Sequence, residues 1–235
     1  APTAEGSLYE VDMRLRPSGN SGPLAASFES FVKYHRESSW TWEHMALTRA
    51  RIVVAEGAFR EELAEAIRSI LTAPRDSDTL LRDVASMRAR IERDRKSGGD
   101  WDIKNRRGGL VDIEFIAQYL QLRYGPTHPD ILSSNTTDAL LRLKAAGILA
   151  PSMADPLIKA MHVWRNVQGV LRLSVGDEFD EEKASSDNRA ILARGCRTAD
   201  FDTLRQTVSD SAAQCYEIFC KLIEGPAANM EPRET

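Results

Sequence analysis

The chain has 235 residues, 42% of them hydrophobic and 28% charged, enough to build the core of one large domain or two small ones. No apolar run approaches the roughly 20 residues that cross a bilayer, and a net charge of −4 makes nucleic acid a disfavoured partner. Cys196, Cys215 and Cys220 are odd in number and lack CxxC spacing, which reads as reduced thiols of a cytoplasmic protein and not as a disulfide framework or zinc site. The opening Ala1-Pro2-Thr3-Ala4-Glu5-Gly6 has neither the basic nor the apolar region of a signal peptide, and the missing initiator Met suggests a piece of a longer chain.

Leu8 to Arg16 alternates strictly. Tyr9, Val11, Met13 and Leu15 fall on one side of a predicted strand, and Glu10, Asp12, Arg14 and Arg16 on the other. Two carboxylates followed by two guanidinium groups fit an exposed face with cross-strand ion pairs. That reading comes first on spacing alone; the second is a phosphoryl-transfer kit, in which an acid holds a metal and arginines hold phosphate oxygens. A turn-rich loop from Pro17 to Pro23 follows.

From there the spacing is helical. Ser27 caps a short helix carrying Phe28, Phe31 and Tyr34. Ser38 or Ser39 is expected to cap a longer one, Trp40 to Val54, with Trp40 and Trp42 as core anchors. A boundary is placed near Glu56-Gly57. Residues 57–71 form the next helix. After a break at Pro74, Leu80, Val84, Met87 and Ile91 form an apolar stripe, and Arg82, Arg88, Arg90, Arg93 and Arg95 lie off it as a solvated face.

Lys104, Arg106 and Arg107 then lead into Gly108-Gly109 and a helix from Leu110 to Tyr124. Glycines before a helix N-terminus leave free amides and a positive dipole end that suits an anion, so Lys104, Gly108 and Gly109 are candidate nucleotide contacts. A plain Gly-Gly turn with Asp112 in a charged first turn explains the same residues. Further helices are predicted after Asn135, from Asp155-Pro156, around 188–193 and over 200–224, with a disordered tail over 225–235. The acidic loop Gly176–Ser186 lacks EF-hand spacing, and His35, His44, His128 and His162 pair with nothing at metal-ligand spacing.

Three blocks, Leu8 to Gly22, Glu37 to Arg51 (with Trp40-Thr-Trp-Glu-His44) and Asp102 to Phe115, resemble the glutamine synthetase adenylyltransferase family in order and spacing. The wording Leu8-Tyr-Glu-Val-Asp-Met-Arg-Leu-Arg-Pro-Ser-Gly19 is similar to the second, adenylylating half of that two-headed enzyme. The resemblance implies a mainly α fold. Residues 1–56 would be the remnant of an α/β nucleotidyltransferase-type domain, and 57–224 an all-helical bundle like that of PII uridylyltransferases. It implies transfer of AMP from ATP to a tyrosine of glutamine synthetase, with magnesium as cofactor and the PII signal protein as a second partner. It makes Asp12 the catalytic, metal-holding acid with Glu10 nearby, and Arg14 and Arg16 candidates for phosphate or ion-pair contacts.

The family draws two further acids from a Gly-Ser-x-x-Asp-x-Asp motif, which is absent from these residues. The chain alone is therefore expected not to adenylylate, because one carboxylate does not position two metals. Two other readings stay open: a PII uridylyltransferase, and a helical regulatory module that docks PII or glutamine synthetase without catalysis.

Overall fold

The computed structural model describes residues 12–13, 15–94, 99–174 and 179–230. Local chemistry starts most of its helices. The Ser27 hydroxyl accepts the Ser30 amide at 3.2 Å to open α1, Phe28–Glu37. The Asn135 side chain accepts the amides of Thr137 and Asp138 at 2.9 and 3.3 Å to open α6, Thr136–Ala145. Ser185 does the same for α8, Ser186–Gly195, and Asp200 for α9, Phe201–Phe219. Each cap supplies an acceptor that the first turn lacks within the helix.

Between these lie α2, Thr41–Leu47, α3, Gly57–Leu71, α4, Ser77–Asp94, α5, Leu110–Tyr124, and α7, Pro151–Ser174. After α9 the ladder widens into a π-turn over Cys220–Glu224 and closes on α10, Gly225–Ala228. Pro226 lacks the amide that would continue the α-ladder, and the Gly225 amide reaches back to the Cys220 carbonyl instead.

α5 is the hub. It is apolar nearly all round and packs against α2, α4, α6, α7 and α9. Ile113, Ile116 and Leu122 meet Leu140 and Leu143 of α6, Trp164 of α7 and Phe219 of α9 in one core that runs from Met45 to Ile223. The bundle and the segment before residue 57 therefore share a hydrophobic interior, joined through α2.

Several expectations need correction. The predicted strand lies largely outside the described residues. Asp12 and Met13 have no regular structure, Leu15 to Ser18 form a turn, and no strand occurs among the described residues. α2 is two turns long, not the whole of 40–54. It starts because Glu43 reaches back to the Trp40 amide at 2.9 Å. With so short a helix, the inward positions go to Glu43, Met45 and Leu47, and the two tryptophans face out, Trp40 72% and Trp42 40% exposed.

Arg88 is not on a solvated face; it is 0% exposed. α7 begins at Pro151, ahead of Pro156, whose missing amide removes a single bond near the helix start. The expected tail starts as helix α10, with Ala227 and Met230 packed against the core.

Candidate functional site

Two loops carry the residues singled out in the sequence. In the first, Asp12 is exposed, while the Arg16 guanidinium holds its own loop. Its Nη1 donates to the Met13 carbonyl at 2.8 Å and its Nε to the Gly22 carbonyl at 3.5 Å. Tyr34 lies beside the loop at Ser18, and its hydroxyl donates to Glu43 at 2.7 Å. Burial, with the Glu43 carboxylate beside it, pushes the Tyr34 phenol above its usual pKa. Glu10 and Arg14 lie outside the described residues.

α2 carries this loop onto the bundle. Thr41 donates to Asp83 of α4, and Arg49 pairs with Glu114 of α5 at 2.6 Å. Beside them the His44 ring lies 2.7 Å from the Ser39 hydroxyl and 2.9 Å from the His35 carbonyl. Burial holds both His35 and His44 below the usual imidazole pKa.

The second loop leads into α5 and is built around Asp112. One carboxylate oxygen pairs with the Arg88 guanidinium, both side chains fully buried, and the other accepts the Gly108 amide at 2.6 Å. Arg88 also donates to the Asn105 carbonyl at 3.0 Å. Burial is the largest influence on the Asp112 carboxyl and pushes its pKa up; Arg88 and the Gly108 amide oppose it. Gly108 has φ +74°, and a Cβ there would sit 1.8 Å from the Ala212 carbonyl of α9.

The amides around this helix start already have acceptors. Gly109 donates to Arg106 at 3.0 Å, Leu110 to Ile103 at 3.0 Å and Val111 to Lys104 at 3.1 Å. Gly108 and Gly109 are thus buried glycines that let backbone pass close to backbone, and no free amide pair stands at 108–111 for an anion. Lys104 keeps an exposed side chain. Arg107 pairs with Glu92 and, at 2.7 Å, with Glu224.

The acidic loop is held by its own cations. Glu181 accepts the Trp101 indole at 2.9 Å and Arg205 at 3.2 Å, and Asp180 pairs with Lys183. Among the described residues, no three His, Cys, Asp or Glu side chains come together as a metal site. Magnesium therefore has no ligand set among them, and Asp12 by itself does not make one. Burial pushes the Cys215 thiol up to about 12 and Cys196 to about 11, which marks both as unreactive.

The sequence reading missed two of these features. Arg88 lies seven residues after Leu81 and four after Val84, so the helical period already places it on the buried stripe. Tyr34 and Glu43 belong to different helices, and no periodicity links them.

Comparison with known proteins matches residues 1–66 to the family described as Glutamate-ammonia ligase adenylyltransferase. Residues 80–222 match the one described as GlnD PII-uridylyltransferase. The chain belongs to the family of that helical domain, and its first 66 residues are similar to the adenylyltransferase family. It is 45% identical over 95% of its length to the bifunctional glutamine synthetase adenylyltransferase/adenylyl-removing enzyme of Rhodopseudomonas palustris (strain HaA2), and covers 22% of that protein. Enzymes of the same description from Bradyrhizobium diazoefficiens and Xanthobacter autotrophicus are 43% and 41% identical over 95% and 96% of the chain, which covers 22% and 23% of them. The chain thus spans less than a quarter of the curated relatives it matches. No described helix is long and apolar enough to cross a membrane.

Proposed function

We propose that this chain is the part of a glutamine synthetase adenylyltransferase that supplies one acidic side chain and the helical bundle behind it. In the reaction a tyrosine hydroxyl of glutamine synthetase bonds to the α-phosphorus of ATP, and the bond to pyrophosphate breaks. One observation carries the reading: the segment that matches the adenylyltransferase family holds Asp12 in an exposed loop with Tyr34 beside it, and Tyr34, Glu43 and α2 join that segment to the bundle. Asp12 is the proposed catalytic and metal-holding acid, with Glu10 beside it in sequence. Arg14 and Lys104 are the proposed phosphate contacts; Arg16 is already engaged with carbonyls of its own loop.

Magnesium belongs to this reading only in the longer protein, where more carboxylates would join Asp12. The division into 1–56 and 57–224 is part of the proposal, with α2 as the joint. The match of residues 80–222 supports a second reading, in which the bundle docks the PII signal protein or glutamine synthetase.

The test is a chimera. These residues replace the matching segment of the Rhodopseudomonas palustris enzyme, and transfer of α-labelled AMP to glutamine synthetase is measured. The proposal expects transfer within about tenfold of the parent enzyme. A folded chimera that binds glutamine synthetase and transfers nothing would favour the docking reading.

A further inference from the structure

A groove of about 360 Å³ opens between the Asp12 loop and the bundle. Its walls are Leu15, Trp42, Met45, Met87 and Phe115, and Gln118 of α5 lies on its floor. Gln118 is 8% exposed, and its amide makes no hydrogen bond to any described residue. The amide opens onto the groove, where it presents one donor and one acceptor side by side. The Arg49 guanidinium at the rim is already paired with Glu114. The ligand that fits is therefore flat and uncharged where it enters, with apolar faces and one polar edge. A purine has that form.

We propose that the groove holds the adenine base of the nucleotide. Trp42 lies along the ring face, and Gln118 pairs with the 6-amino group and the neighbouring ring nitrogen. Met87 and Leu15 close the sides. Leu15 stands three residues from Asp12, so the proposed base site and the proposed acid belong to one loop. The choice of adenine rests on the adenylyltransferase reading; the flat ligand with one polar edge rests on the groove alone.

The experiment titrates the 235-residue chain with adenosine, purine riboside and ribose 5-phosphate, using calorimetry and saturation-transfer NMR. Adenosine is expected to bind, purine riboside about tenfold more weakly for want of the 6-amino group, and ribose 5-phosphate not measurably. Gln118→Leu should weaken adenosine about tenfold. Trp42→Ala should do the same and, being at the surface, keeps the test valid should Gln118→Leu unfold. Absence of adenosine binding, or binding that neither variant weakens, overturns the proposal and leaves the groove as a seat for an apolar segment of the longer protein. The two readings fail separately. A chimera that transfers AMP while its groove ignores adenosine keeps the enzyme and loses the base site; one that binds adenosine in the groove but transfers nothing does the reverse.

Discussion

Arg88 and Asp112 both sit fully out of water and face each other, with the Asn105 carbonyl and the Gly108 amide as further partners. Arg88→Ala leaves a buried carboxylate without its counter-ion, and urea denaturation should show a loss of about 3–5 kcal/mol. The double variant Arg88→Met, Asp112→Leu should recover most of that; a double variant as unstable as Arg88→Ala would contradict this account of the pair. His35 and His44 give the opposite kind of prediction. Burial holds both below the usual 6.5, so each is neutral in the fold and takes up a proton on unfolding once the pH falls under that value. Their contribution is present above pH 6.5 and is lost as the pH falls through the lower folded value. The groups facing them are the two rings themselves, Glu43 and Arg75. The melting temperature should therefore drop between about pH 7.5 and about pH 5.5, and His35→Phe, which also removes a buried Nδ1 without a partner, should shrink the drop. An unchanged drop would remove His35 from the explanation. Arg88 was legible in the sequence through its spacing from Leu81 and Val84; Asp112 was not, because a carboxylate in a first helical turn is explained by the dipole alone.

Gly108 and Gly147 show how an element's surroundings decide what a glycine does. Both have positive φ, +74° and +71°, but a Cβ on Gly108 strikes the backbone of α9, whereas one on Gly147 meets nothing within 4 Å. Gly147→Ala should cost about 1 kcal/mol, from backbone conformation only. Gly108→Ala should cost at least about 3 kcal/mol, since α5 and α9 must also part. Equal denaturation midpoints for the two variants would refute the close approach of these helices. Helices α3 to α6 could be read from sequence because their stripes are long and their breaks carry Pro, Asn or Gly. α2 could not. Its seven residues span two turns, too few for a period to show which face is inward, and the bulk of Trp40 and Trp42 suggested burial where the fold places Met45 and Leu47.

On the scale of the whole molecule, the helical bundle and the family resemblance were readable because apolar spacing and three motif blocks each extend over many residues. The Asp12 site was readable only as a motif, since what completes a metal site there is not among the described residues. The isolated chain, incubated with magnesium, α-labelled ATP and glutamine synthetase, should therefore transfer no label above background; measurable transfer would contradict the need for further acids. The most direct measurement of the central claim is the effect of Asp12→Asn on AMP transfer by the chimeric enzyme. A loss of at least about a hundredfold, with an unchanged melting temperature and unchanged binding of glutamine synthetase, is the predicted result. Transfer at the unsubstituted rate would show that this chain supplies no catalytic acid, and its part in the enzyme would be the bundle alone.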